Sequence, residues 1–125
     1  MEDILPQLID KEITVVLSIW GRTIEDYAAA ADLCSDLPTA VKAVELNISC
    51  PNVEDRGKMF SHTPASTYEV VQATSQIKTP RWAKLSPNVT NLVEIANAAK
   101  EAGADGVTLI NTVMGMVIDL SLIHI

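Results

Sequence analysis

The sequence predicts an α/β fold in which βα units follow one another on a parallel sheet. Three observations carry this. Four short runs are rich in apolar and β-branched residues: "ITVVLSIW" (13–20), "AVKAVELNI" (40–48), "PRWAKLS" (80–86) and "DGVTLINT" (105–112). Their near-continuous apolar character is that of strands buried on both faces, as in parallel sheets. Segments of helical period lie between them, and strand and helix alternate along the chain.

Each element has its own local signals. Thr23 with Asp26 three residues on opens a helix over 23–34, "TIEDYAAAADLC". Thr63 before Pro64 opens a second, running to about Ile77, because proline suits the first helical turn. The third, 91–102, has Leu92, Ile95, Ala96 and Ala99 on one face, Asn91 and Glu94 to cap its start and Gly103 to end it. One connection is unusual. From Ile48 to Thr63 the chain reads "ISCPNVEDRGKMFSHT", long and aperiodic, and such loops within compact α/β units are usually functional.

Composition narrows the partners. The chain has 125 residues, 48% of them hydrophobic, with 16 acidic against 9 basic side chains and a net charge of −7. That balance disfavours nucleic acid and anionic membranes, which select a basic face. No run is long and apolar enough for a membrane span, and no signal-peptide pattern opens the chain, so a cytoplasmic protein is expected. Two cysteines, Cys34 and Cys50, make neither a disulfide framework nor a metal-ligand spacing, and no metal is expected. The sequon matches at Asn47 and Asn88 read as chance in a chain without an export signal.

The polar residues near the strand ends point to a site. Ser18, Asn47, Lys84 and Asn111 lie near the C-terminal ends of the four apolar runs, about 30 residues apart, one βα unit each. In βα-repeat folds those ends converge on one mouth, where ligands bind. Carboxamides offer one acceptor and two donors, which suits a ring edge alternating N–H and C=O, such as a pyrimidine or an isoalloxazine. Lys84 adds positive charge where negative charge could develop. Cys50, just beyond the second strand, could serve as nucleophile or general base. His62 reads as a solvated loop residue. Cys34, Trp20 and Trp82 read as packing residues, and Asn88 as shaping the loop after the third strand. Met114 and Met116 suit an apolar wall, a placement the sequence leaves open.

At this point "ELNISCPN" (45–52) and "KLSPNVTNLVEIANAAKEAGADGVTLINTVMG" (84–115) resemble the dihydroorotate dehydrogenases of the soluble class 1 type. The form whose catalytic subunit pairs with an iron–sulfur, flavin-bearing subunit is the nearest. The resemblance implies a (β/α)8 barrel that binds FMN at its mouth and oxidises dihydroorotate to orotate in pyrimidine biosynthesis. It implies Cys50 as the base at C5, with hydride passing from C6 to flavin N5. Asn47, Asn52, Asn111 and Thr112 are then expected to hold the substrate. Ser18, Asn47, Lys84 and Ile110 are expected to contact the cofactor, with Lys84 beside the flavin N1–C2=O edge. Cysteine at position 50 fits the soluble class, since the membrane-associated class has serine there. Ser18 stands where the family often has asparagine, and the loop after Asn52 has one glycine where many relatives have two.

Such a barrel takes about 250 residues, so the resemblance implies an internal fragment of about four βα units, strands three to six. Residues 1–120 are expected to form a partial FMN-binding domain, and 121–125, "SLIHI", follow no family pattern. A half barrel would leave two unpaired sheet edges and an uncovered inner face, so this length alone is expected to be inactive and prone to associate. A homo- or hetero-oligomer is expected of the full-length parent. Two alternatives stand beside this: the FMN domain of a dihydropyrimidine dehydrogenase, which shares the barrel, the cysteine and a similar "KLSPNVT", and an inactive structural remnant. Asn52 favours dihydroorotate over dihydrouracil.

Overall fold

The computed structural model describes residues 4–50 and 59–119. Its elements are α1 (Leu5–Asp10), β1 (Val15–Ile19), α2 (Ile24–Leu33), β2 (Val41–Leu46), a 3-10 turn (Phe60–His62), α3 (Pro64–Gln72), β3 (Arg81–Lys84), α4 (Leu92–Glu101) and β4 (Gly106–Thr108). The four strands form one all-parallel sheet in the order β1-β2-β3-β4. Sequential order without reversal, with right-handed crossovers, puts every connecting helix on one face. A doubly wound sheet would reverse direction at a switch point. This is the architecture of part of an α/β barrel.

The helix boundaries follow the capping chemistry. Thr23 Oγ1 accepts from the Asp26 N–H at 3.1 Å, and the Asp26 carboxylate accepts from the Thr23 N–H at 3.1 Å. Asn91 Oδ1 accepts from the N–H groups of Val93 and Glu94 at the start of α4. That helix ends at Gly103, whose φ of +90° is a conformation an L side chain resists. α3 opens at Thr63 and Pro64 as expected but stops at Gln72. The chain then continues to Ile77 through tighter turns, with Thr74, Ser75 and Ile77 each bonding back three residues. α1 lies outside the expected βα pattern and has no side-chain cap and no buried residue.

The core lies between the helices and one face of the sheet. Tyr27, Ala31 and Cys34 from α2 and its end, Val70 and Val71 from α3, and Ile95 and Ala99 from α4 pack on Val44, Leu46, Ile48, Ala83 and Leu85. Cys34 is therefore a packing residue, as expected. The opposite face is open, so the expectation of strands buried on both faces holds for one face only. Val16 is 45% and Trp82 38% exposed there, because α2, α3 and α4 all cover the other side. Trp82 lies across Gly106, where an added Cβ would come within 3.0 Å of the indole.

The N-terminal end of β3 is pinned by a buried cation. Arg81 donates through Nη1 to the Val71 carbonyl (2.9 Å) and Thr74 Oγ1 (3.1 Å), and through Nη2 to the Gly103 carbonyl (2.6 Å). These carbonyls lie at the C-terminal ends of α3 and α4, where a positive charge is favoured. Burial pulls the guanidinium below its ordinary range, partly offset by Asp105.

Candidate active site

The strand register sorts the polar residues of the C-terminal ends into two groups. Ser18 pairs with Glu45, and Glu45 with Trp82, so these three share the open face. Ser18 Oγ donates to Glu45 Oε1 at 3.0 Å, and Lys84 Nζ lies 3.9 Å from the same oxygen. Glu45 thus joins Ser18 to Lys84. The sequence presents Lys84 as a charge among neutral amides; the structure places a carboxylate beside it. Glu45 is the residue missed, although it stands two before Asn47 and strand alternation puts both on one face.

The second group is built around Ser49. The main chain turns immediately after β2. Asn47 donates its N–H to the Ile19 carbonyl (2.9 Å), and its own carbonyl accepts from the Tyr27 hydroxyl (2.6 Å). Its side-chain oxygen accepts from Ser49 Oγ at 3.3 Å. From the other side, Asn111 Nδ2 donates to the Ser49 carbonyl (3.1 Å) and hydroxyl (3.0 Å). Asn47 and Asn111 are thereby connected through one buried serine. Cys50 ends this turn as a half-buried free thiol.

Asn111 is held in turn by its N–H on the Leu85 carbonyl (3.1 Å), and its Oδ1 accepts from the Thr112 N–H (2.8 Å). Thr112 and Ile110 flank it, both exposed. Asn88 reaches further than its own loop: Nδ2 donates to the Thr112 carbonyl (2.8 Å), and Oδ1 accepts from the Met114 N–H (3.0 Å). Asn52 lies outside the described residues. Of the sequence-expected set, Asn47, Asn111, Thr112 and Cys50 gather about Ser49, while Ser18 and Lys84 meet through Glu45.

A cavity of about 420 Å³ opens beside the second group, lined by Ser49, Met59, His62, Ser86, Asn88, Asn111, Thr112 and Met114. His62 is half-buried and lines this cavity rather than standing in solvent, with its Nδ1 accepting from the Met59 N–H. Met114 lines it as well, while Met116 is exposed. Trp20 is 47% exposed, with the Arg22 guanidinium 5.9 Å from its ring centroid. Among the described residues no three His, Cys, Asp or Glu side chains come together to hold a metal. No helix among them is long and apolar enough to cross a membrane.

Consecutive parallel strands with helices on one face, and with amides, a lysine and a free thiol where the strands end, define a barrel-type α/β protein whose polar site lies at the strand C-termini. The family description "Dihydroorotate dehydrogenase" matches residues 1–124, and the chain belongs to that family. Three similar proteins each carry the name "Dihydroorotate dehydrogenase B (NAD(+)), catalytic subunit". That of Geotalea uraniireducens is 47% identical over 122 residues, 96% of this chain and 39% of the relative. That of Bacteroides thetaiotaomicron is 44% identical over 120 residues, 95% of this chain and 39% of the relative. That of Bacillus cytotoxicus is 44% identical over 117 residues, 93% of this chain and 38% of the relative. The chain therefore spans about two fifths of the length of the curated relatives it matches.

Proposed function

We propose that this chain supplies part of the active site of an FMN-dependent dihydroorotate dehydrogenase that oxidises dihydroorotate to orotate in pyrimidine biosynthesis. The observation that carries the proposal is the Asn47–Ser49–Asn111 connection, which brings the Cys50 turn against the end of β4. A pyrimidine ring presents amide N–H and C=O groups, which carboxamides held at fixed separation can pair with, Asn111 giving up a bond to Ser49 to do so. Asn47, Asn52, Asn111 and Thr112 hold the substrate in this proposal. Cys50, as thiolate, takes the proton from C5, forming its S–H bond as the C5–H bond breaks. The C5 electron pair becomes the new C5=C6 double bond as hydride departs from C6. FMN, when bound, supplies the acceptor for that hydride.

The donor set fits the pyrimidine edge of the flavin. Lys84 offers a cation on the open face, and Ser18, which donates to Glu45, keeps acceptor capacity. With Asn47 and Ile110, these are the residues proposed to touch the cofactor. Glu45 limits the positive charge Lys84 presents. Residues 1–120 are proposed as a partial FMN-binding domain that works in the cytoplasm. The relatives named as catalytic subunits support a proposed pairing of the full-length parent with an iron–sulfur, flavin-bearing electron-transfer subunit.

A chimaera tests this. Residues 1–119 would replace the matching segment of the Geotalea uraniireducens relative, and anaerobic reduction of bound FMN would be followed by absorbance. Reduction by dihydroorotate and not by dihydrouracil is expected. Reduction by dihydrouracil alone would assign the segment to the dihydropyrimidine dehydrogenase type. A flavin-loaded chimaera reduced by neither would make the segment an inactive remnant.

A further inference from the structure

We propose that Tyr27, a residue of the outer helix α2, is the positioning residue for the turn that carries Asn47 and Cys50. It rests on Cys50 being the base in the function proposed above. Tyr27 sits in the helix layer, yet its hydroxyl reaches the Asn47 carbonyl just beyond the end of β2 at 2.6 Å, the shortest contact made by that turn among the described residues. Its ring is 1% exposed and meets Phe60 edge-on, with centroids 5.6 Å apart and planes at 89°.

Phe60 belongs to the segment that returns after the long loop. That segment also touches the turn directly, through the Ser61 N–H on the Ile48 carbonyl at 3.1 Å. The Phe60 carbonyl accepts from Ser66 Oγ (2.6 Å) and Thr67 Oγ1 (3.1 Å), which fixes the segment to α3. Tyr27 thus grips both ends of the loop between Ile48 and Phe60, one by its hydroxyl and the other by its ring. Gly21 makes room for it, since a Cβ there would lie 3.1 Å from Tyr27 Cδ2.

The electrostatics agree with a donor that stays protonated. Burial pushes the phenol well above its ordinary value, the Gly21 backbone N–H pulls it partly back, and negative charge at Cys50 pushes it up again. That last effect places Cys50 within electrostatic reach of the phenol. Burial thus keeps the hydroxyl a neutral donor to the Asn47 carbonyl. Asn111 fixes the far side of the turn through Ser49, so the loss of Tyr27's hydroxyl frees one side only.

The test is peptide-resolved alkylation of Cys50 by iodoacetamide in the full 125-residue chain, with Cys34 in the same molecule as the control for global unfolding. Tyr27→Phe keeps the ring and removes the donor. Alkylation of Cys50 should rise about fivefold, in line with the loss of one hydrogen bond, while Cys34 keeps its rate. Para-aminophenylalanine at position 27 restores a donor at the same place and should return Cys50 to within about twofold of the parent rate. An unchanged Cys50 rate in Tyr27→Phe overturns the proposal. So does an equal rise at Cys34, which would make Tyr27 a fold residue, or a failure of the amino analogue to restore the rate. None of these readouts needs flavin or dihydroorotate, so a failure of the functional proposal is seen separately in the chimaera.

Discussion

Asn111 and Ser49 lie 62 residues apart in sequence, yet the Asn111 amide donates to both the carbonyl and the hydroxyl of Ser49, at 3.1 and 3.0 Å. This is the tie between the β2 turn and the end of β4. Asn111→Ala removes both bonds and leaves a buried serine with unmatched acceptors, so it should cost about 1–3 kcal/mol of folding stability. Ser49→Ala keeps the backbone acceptor and should cost about 1 kcal/mol. Because the two residues share one contact, the double variant should lose less than the two single losses combined. Urea unfolding of the four proteins measures this, and additive losses would mean that the tie contributes nothing.

Arg81 satisfies three acceptors at the opposite end of the sheet. Arg81→Met fills much of the same space but removes the donor of the Gly103 carbonyl and of Thr74 Oγ1, while the Val71 carbonyl keeps the Thr74 N–H and hydroxyl. A loss of about 2–4 kcal/mol is expected, since unmatched buried acceptors cost more than a typical hydrogen bond returns. The midpoint of urea unfolding checks it. A loss well under 1 kcal/mol would show that these acceptors find water instead.

Much of this architecture was legible in the sequence because local and global signals agreed. Thr23 with Asp26 and Asn91 with Glu94 announce helices α2 and α4, and both caps form. The strands were placed correctly but drawn too long. The 105–112 run holds β4 only over Gly106–Thr108, although the Asn111 N–H still bonds the Leu85 carbonyl beyond it. Glu45 was hidden by its setting: inside an apolar run it looks like a solvated interruption, and only the register with Ser18 and the reach of Lys84 gives it a place. The Ser49 and Tyr27 contacts depend on tertiary pairing between distant segments, which no period or spacing encodes.

Glu45→Gln separates charge from hydrogen bonding. Glutamine keeps an oxygen for Ser18 Oγ but removes the carboxylate beside Lys84, whose side chain is 28% exposed. A partly exposed pair at 3.9 Å, long for an ion pair, is still reached by solvent, so the stability loss should stay below about 1 kcal/mol. If Lys84 faces the flavin edge, freeing its charge should tighten flavin binding in the chimaera, and Lys84→Met should weaken it. Fluorescence titration with FMN reads both. A weaker affinity in Glu45→Gln would place the carboxylate, rather than the lysine, among the groups that hold the cofactor.

Two buried groups set the alkaline limit of stability. Burial raises the thiol of Cys34, and burial first among its causes raises the phenol of Tyr27. In each case the folded state keeps a proton that the unfolded chain releases, so the unfolded chain binds fewer protons and stability falls as pH rises. The contribution is intact below the unfolded values, about 8.5 for cysteine and about 10 for tyrosine, and declines above them. Thermal melts should therefore fall from about pH 8.5 onward and more steeply beyond about pH 10. Tyr27→Phe should flatten only the upper part of that decline. An identical slope in both proteins above pH 10 would assign the alkaline loss to other groups.

Cys50→Ser tests the base itself, in the chimaera where a complete flavin site is present. The substitution changes one atom in a turn already fixed by Tyr27, Ser61 and Asn111, so FMN affinity should be unchanged. A serine hydroxyl is a far weaker base than a thiolate, and general base catalysis typically contributes about 10²- to 10⁴-fold. Anaerobic stopped-flow reduction of the flavin by dihydroorotate should slow within that range, most visibly near neutral pH. Substrate binding should change little, because the proposed amide contacts of Asn47 and Asn111 remain, so the effect should appear in the limiting rate rather than in the substrate concentration at half-saturation. Unchanged reduction rates with FMN fully bound would remove Cys50 from the proton transfer and leave the turn a purely binding element.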